Sequence, residues 1–314
     1  MRRFGISMRA VAACAALVTL LPAGARAQEC AGRLFESPVI EGGALCVPEE
    51  PERVVVLDSA YNLQMGLELG APIVGAPLTD YGTEELSPDQ RARVTNIGTG
   101  FEPGLEAIVL LDPDLILGDS FLHGERLDTL SQIAPTALIK TQDWKAYFRT
   151  IADLVNRNER AERMLGAYEA RAADIRARMP DVTVSFLRVQ PNAFHVYVDG
   201  PAAYAPARVM AEAGVRRTAY ETVTDDTVLK RPGWESLSAL SGDILLYLVG
   251  AGRDDALDDD LDRETQAHPL WQALPAVEAN RAFRVKAKDW VRFGGIASAN
   301  RVLDVLEAHV VAPR

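Results

Sequence analysis

Two α/β lobes of Rossmann-like design, joined by a long helical spine, are the fold this sequence predicts, and three observations predict it. First, the segment LEAIVLLDPDLIL at 105–117 returns in altered form as WESLSALSGDILL at 234–246, 129 positions later. In each copy a Glu, Glu106 or Glu235, precedes apolar residues at helical spacing, and eight residues on an Asp, Asp114 or Asp243, opens an unbroken apolar run. Each copy reads as helix, turn and buried strand, and a strand apolar on both faces belongs in a parallel sheet covered by helices. Second, strand and helix patterns alternate on both sides of residues 144–179. Third, that stretch has no Pro and no Gly except Gly166, while Arg, Glu and Ala fill a helical pattern that Pro180 stops.

The elements follow in order. Met1 to Ala27 carries Arg2, Arg3 and Arg9, an apolar stretch from Ala10 to Leu21 and Ala25-Arg26-Ala27, the plan of a secretory signal peptide. A lipoprotein box ending at Cys14 is the rival, but only about four apolar residues precede it, fewer than an h-region needs. Residues 28–143 form the expected N-terminal lobe. It opens with Cys30 and Cys46 around the Gly42-Gly43 turn, the two cysteines left once Cys14 departs, and in an oxidising compartment they should pair to pin a hairpin. Their wide spacing suits a staple better than a redox site. Arg53 to Leu57 is the first core strand, Leu63 to Leu69 a helix ended by Gly70, and Pro72 to Gly75 the start of the next strand. Residues 144–180 are the spine, expected as one continuous helix, and 181–314 the C-terminal lobe. That lobe begins with a strand at Val182 to Val189 and a partner at Phe194 to Val198, and ends with a helix from Ser298 to His309.

Charge and composition narrow the function. The formal charge of −11 becomes −15 when four leader arginines and no acids are removed, which excludes nucleic acid as a partner. The run from Asp254 to Asp262 lacks the mid-loop Gly and terminal Glu of a calcium loop and reads as a solvated loop. No segment after the leader approaches the roughly 18 apolar residues of a membrane span, so a soluble, periplasmic monomer is expected.

Four stretches together carry a resemblance: Pro51 to Leu57 (PERVVVL), Glu102-Pro103-Gly104-Leu105-Glu106, Ile133-Ala134-Pro135-Thr136, and His268 to Val277 (HPLWQALPAV) followed by Arg284-Val285, Trp290 and Gly294-Gly295. In order and spacing they resemble the periplasmic iron-siderophore binding proteins of ABC importers, the ferric-hydroxamate (ferrichrome) type above all, over nearly all of the mature chain. The resemblance implies a bilobed receptor with a rigid helical connector that catalyses nothing and needs no cofactor, its iron arriving as a ferric siderophore. It also implies that Glu106 and Glu235 dock against a permease dimer in the inner membrane. A carboxylate in a first helical turn complements the helix dipole in any case.

Open α/β sheets leave a crevice at the carboxyl ends of their strands, and the loops there supply the candidate ligand contacts. From the N-terminal lobe these are Tyr61, Tyr81, Phe101, Phe121 and His123; from the C-terminal lobe, Arg188, Lys230, Arg231, Trp290, Arg292 and Phe293. Aromatic rings offer rigid walls to a chelate's organic shell, and Arg donates to oxygens that also ligate iron. Gly100 stands where ferrichrome-type proteins have an Arg, and Phe121 to His123 align only loosely with their cleft Tyr, so the ligand stays open. Convergence of Arg188, Lys230, Arg231 and Arg292 would suit an anionic catecholate or carboxylate chelate, whereas Arg188 and Trp290 alone would suit a neutral hydroxamate. A haem- or cobalamin-binding protein of the same fold, with His123, His195, Tyr61 or Tyr197 as axial ligand, is the alternative. Bare zinc or manganese would need converging His and carboxylate ligands, yet the four His are scattered. An enzyme is not expected: Pro103 breaks the dinucleotide fingerprint begun at Gly98-Thr99-Gly100, and G-x-S-x-G, H-E-x-x-H and reactive thiols are absent.

Overall fold

A computed structural model describes residues 30–78, 83, 86–191, 193–250 and 255–312. The leader at 1–27, with the lipid-box reading at Cys14, lies outside the described residues, as does Tyr81. The chain opens with an antiparallel hairpin, β1 (Arg33–Glu36) and β2 (Ala44–Val47), reversed through Gly42 and Gly43, both at positive φ (81° and 78°). The Cys30–Cys46 disulfide expected there is present. The hairpin lies along the edge of the first sheet, where Glu41 N–H donates to Leu138 O (2.8 Å) and Lys140 N–H to Val39 O (2.8 Å), so that edge is covered.

The N-terminal sheet contains β3 (Val54–Val56), β4 (Ile73–Ala76), β5 (Thr95–Asn96), β6 (Leu115–Asp119) and β7 (Thr136–Ile139) in the order β5-β4-β3-β6-β7, every pair parallel. The order reverses at β3, so the crevice opens beyond the carboxyl ends of β3 and β6. Helix Tyr61–Leu69 leaves β3 and stops at Gly70, which takes a left-handed φ of 73°, while Ala71 N–H reaches back to Gly66 O (2.8 Å).

The C-terminal sheet contains β8 (Val184–Gln190), β9 (Ala193–Tyr197), β10 (Leu229–Lys230), β11 (Ile244–Val249) and β12 (Ala282–Arg284) in the order β10-β9-β8-β11-β12. Here β8, β11 and β12 run parallel, but β9 turns straight back against β8. β6 and β11 are the buried strands foreseen from the repeat, and the helices before them are Leu105–Leu110 and a 3-10 helix, Trp234–Ala239.

Two expectations need correction. The spine is not one helix: Trp144–Leu154 and Asn158–Arg178 are separated by Asn156 at φ 53°, a left-handed conformation that Asn tolerates better than most residues. The Asn156 side chain donates to the Glu50 carboxylate, which fixes the break against the start of the first lobe. The acidic run is likewise no loop, because Asp255–Ala267 is helical. Leu261 packs on the core, while Asp259 and Asp262 pair with Arg284 (2.6 and 3.1 Å) on the neighbouring strand. Among the described residues no group of His, Cys, Asp and Glu is arranged to hold a metal ion, and no helix is long and apolar enough to cross a membrane.

One apolar core runs through both lobes. Val54 and Leu117 of the first sheet, Trp144 and Phe148, Leu165 and Ile175 of the long helix, Phe186 and Leu246 of the second sheet, and Leu303 of the final helix Ile296–Leu306 all belong to it. Each sheet has a smaller core on its outer face, around Ile116 in one and Trp271 in the other. Glu68, near the end of helix Tyr61–Leu69, ties the lobes further by accepting from Ile296 N–H (2.9 Å) and Ala297 N–H (2.8 Å), a carboxylate set on the first turn of the last helix. Gly294 is required at this crossing because a Cβ would come within 2.6 Å of the Gln64 side chain.

Candidate ligand-binding cleft

The hairpin between β8 and β9 makes the C-terminal wall. Period-two alternation sends Leu187, Val189, Phe194 and Val196 into the outer core and leaves Phe186, Arg188, Gln190, His195 and Tyr197 on the face toward the spine. Arg188 and His195 are direct cross-strand partners. The Arg188 guanidinium is oriented by its Nε–H, which donates to Gly250 O (2.6 Å), and Gln190 Nε2 donates to the same carbonyl (3.1 Å). Burial, then the charges of Arg188 and Arg231, hold the His195 pKa below its ordinary value, so the ring is neutral at neutral pH. Neither arginine has a carboxylate partner among the described residues. A stack of rings lines the base of this wall: Trp290 on Phe186 (4.3 Å), Phe186 on Tyr197 (5.9 Å) and Tyr197 on Tyr204 (5.3 Å), with Tyr204 Oη donating to Val291 O (3.1 Å).

The N-terminal side is built from strand ends. After β3, the Asp58 carboxylate accepts from Ala60 N–H and Asn62 N–H (both 3.1 Å), and Asn62 Nδ2 also donates to Tyr147 Oη (2.8 Å). Desolvation raises the Asp58 pKa. Tyr61 packs edge-on against Tyr147 (5.0 Å) and Phe293 (6.4 Å). Burial raises its hydroxyl pKa strongly, Asp119 and Asp58 add to the rise, and Arg208 of the other lobe opposes it, so Tyr61 sits where the two sides meet. After β6, Asp119 accepts from Phe121 N–H (2.9 Å) and Leu122 N–H (3.1 Å).

The sequence-derived contacts divide accordingly. Arg188, half-buried, and Arg231, exposed, are brought together at His195, while Tyr61 packs on Tyr147 and Phe293, Arg292 is half-buried, and Phe293 belongs to the core at 2% exposure. Phe101 and Phe121 stand on the N-terminal rim, 73% and 91% exposed. Trp290 is 1% exposed and belongs to the core beneath the wall, where stacking on Phe186 holds it. His123 is fully buried with both ring nitrogens engaged. Lys230 pairs with Val196, hence with the outer face, and its ammonium donates to Tyr220 O (2.6 Å). Glu106 and Glu235 are exposed in the first turns of their helices. The sequence reading named the strand residues His195 and Tyr197 only as axial ligands of the haem alternative and not among the siderophore contacts, although the alternation FHVY at 194–197 puts both on one face.

Comparison with known proteins assigns the family. A family model described as "periplasmic binding protein" matches residues 54–288. The chain belongs to that family. Its members are substrate-binding transport proteins and not enzymes. The chain is 27% identical to the probable siderophore-binding lipoprotein YfiY of Bacillus subtilis over 84% of this chain and 83% of that protein. It is also 27% identical to the Fe(3+) dicitrate-binding periplasmic protein FecB of Escherichia coli, over 83% and 86% respectively. Among solved structures, Staphylococcus aureus SirA complexed with staphyloferrin B superposes with a TM-score of 0.73 at 21% identity, covering 87% of this chain and 97% of that one, a likeness of fold.

Proposed function

We propose that this periplasmic binding protein captures a ferric siderophore of anionic character between its lobes and delivers it to an ABC permease in the inner membrane. The observation that carries the reading is the Arg188–His195–Arg231 group: two guanidiniums without carboxylate partners among the described residues, flanking a neutral imidazole on the wall of an acidic protein. Guanidinium forks match carboxylate and catecholate oxygens, and they contribute most where water is partly excluded. Iron stays wrapped in its chelator, so the wall needs to recognise oxygen atoms and net charge only. Similarity to a probable siderophore-binding lipoprotein and to an Fe(3+) dicitrate-binding protein supports the ligand class. Tyr61, Phe101, Phe121 and Arg292 supply the remaining contacts, with Phe293 packed against Tyr61 in the core.

Glu106 and Glu235 are the docking residues in this reading. Both are exposed and both begin the helix of a repeated unit, one in each lobe. Charge complementarity there would govern encounter and register more than affinity. Reversal of both charges should leave chelate binding intact and abolish uptake; loss of binding instead would place them in the cleft.

The test of the ligand is a fluorescence titration of the mature protein with ferric citrate, a ferric catecholate, a ferric hydroxamate, haemin and cyanocobalamin. Saturable quenching by an anionic ferric chelate, lost in Arg188→Ala, is expected. A response to haemin or cyanocobalamin alone would overturn the siderophore reading, and a preference for the neutral hydroxamate would overturn the charge argument.

A further inference from the structure

The two most exposed phenylalanines of the N-terminal lobe stand on backbone that is anything but loose. Phe101 follows Gly100 in the crossover after β5, and Phe121 lies just beyond the end of β6. Between them sits His123, with no exposed surface. Its Nε2 lies 2.8 Å from Gly100 O, and its Nδ1 lies 3.1 Å from Asp119 N. A carbonyl can only accept, so a proton on Nε2 is what joins the ring to Gly100 O; Nδ1 faces both the amide and the carbonyl of Asp119 (3.1 and 3.0 Å), and in that tautomer it accepts from the amide. One side chain therefore joins the residue before Phe101 to the residue two before Phe121. Gly118 makes room for it, since a Cβ there would come within 3.0 Å of His123 Nδ1. Arg126 Nη2 adds a bond to Phe101 O (3.3 Å), and the Asp119 carboxylate holds the Phe121 amide (2.9 Å).

We propose that His123 is a positioning residue that sets the spacing of Phe101 and Phe121 as an apolar clamp on the N-terminal rim of the cleft. The inference rests on the ligand reading above: the clamp takes the organic shell of the ferric chelate while the arginine wall opposite takes its charge. Large apolar rings this exposed on fixed backbone lose little entropy when a ligand covers them, which is what preorganised recognition requires. Neither ring nitrogen of His123 is left over for the ligand, so its contribution passes through the two rings.

A double-mutant cycle tests this with whichever complex the wild type binds best among ferric citrate, ferric 2,3-dihydroxybenzoate and ferrioxamine B. The Phe101→Ala/Phe121→Ala pair should weaken binding about tenfold, as loss of two partly buried aromatic contacts would. His123→Asn keeps an acceptor near Asp119 but cannot reach Gly100, and should cost a similar factor while amides 99–103 lose exchange protection. His123→Gln, long enough to donate to Gly100 O, should recover most of the loss. In the Phe101→Ala/Phe121→Ala background His123→Asn should cost nothing more. A full further loss there, or unchanged binding in every variant, overturns the clamp while leaving the ligand reading intact. Failure of the wild type to bind any of the three complexes sinks the ligand reading and the clamp with it. Should His123→Asn not fold, the cycle is run with His123→Gln and the Phe variants, where a loss in His123→Gln equal to that of the Phe pair counts against the proposal.

Discussion

The two lobes start their central strands with the same device and finish them differently. In the first lobe the Asp114 carboxylate, just before β6, accepts from Glu52 N–H (2.6 Å) and Arg53 N–H (3.0 Å) at the start of neighbouring β3. In the second, Asp243, just before β11, accepts from Thr183 N–H (2.7 Å) and Thr183 Oγ (2.8 Å) at the start of neighbouring β8. Each Asp clamps two parallel strands where they enter the sheet, which is the physical meaning of the Asp in the repeat. At the carboxyl ends the likeness stops. β3 leads into a helix, so that lobe meets the cleft with loops and with Asp58 and Asp119, whereas β8 doubles back into β9 and presents a strand face with Arg188 and His195. One lobe offers rims and carboxylates, the other a wall and guanidiniums, so an anionic ligand should draw most of its binding energy from the second.

The lobes also differ in what holds them. The C-terminal lobe contains a fully buried ion pair, Arg217 with Glu221, 1% and 0% exposed, in which Glu221 also accepts from Ser185 Oγ (2.9 Å), Phe186 N–H (2.8 Å) and Thr218 Oγ (2.8 Å). Removal of one partner strands a charge, so Glu221→Ala should destabilise by about 3–5 kcal/mol in urea unfolding. Among the described residues, the N-terminal lobe has a polar network without a buried cation, and Asn62→Ala should cost about 1–3 kcal/mol. Equal costs would erase the distinction between the two interiors. Next in size is the staple, which only the first lobe possesses. Cys46→Ser should lower stability by about 3 kcal/mol, and hydrogen exchange should rise around Arg33–Val47 while β8 and β11 keep their protection. Exchange rising equally in both sheets would mean that the common core transmits the loss.

The wall itself can be challenged from both sides. Arg188→Ala should weaken binding of an anionic ferric chelate roughly 10- to 100-fold, the scale of one lost charge-assisted hydrogen bond, whereas Asp119→Asn on the opposite side should leave it within about threefold. Equal losses would show that the ligand spans both lobes evenly.

These contrasts mark what could be read from the chain alone. The repeat, the apolar runs and the cysteine pair made the two sheets and the hairpin legible, because burial on both faces and ring closure leave local signatures. The break at Asn156 was not legible, since one left-handed residue interrupts a helical pattern without a Pro or a Gly. The acidic run misled for a related reason: its charges suggested solvent, but Leu261 and Asp262 face inward and Arg284, more than twenty residues on, neutralises the latter. His195 and Tyr197 were singled out only as axial ligands for the haem alternative, because the contacts of a ferric chelate were sought in loops, and the antiparallel turn of β9 is a tertiary fact. Trp290 and His123 were legible as residues of the site region but not in their depth, which depends on Phe186 and Gly118 from distant segments.

The smallest contrast is a difference in sign. Hydrogen bonds from Thr183 hold the Asp243 pKa below its ordinary value, so its contribution to stability is present above the normal carboxylate range and is lost as pH falls through the lowered value. Desolvation raises the Asp58 pKa, so its contribution is fully present below the normal range and is lost as pH rises through the raised value. Asp243→Asn should therefore lower the melting temperature at pH 7 and cost progressively less as pH approaches 3. Asp58→Asn, which keeps an acceptor but cannot ionise, should be tolerated better at pH 7 than at pH 4. Melting curves of both variants against wild type between pH 3 and 8 should give differences of opposite slope. Parallel slopes would mean that the two carboxylates share one environment, and the contrast between a clamp at a strand's entrance and a carboxylate buried beyond a strand's end would fail.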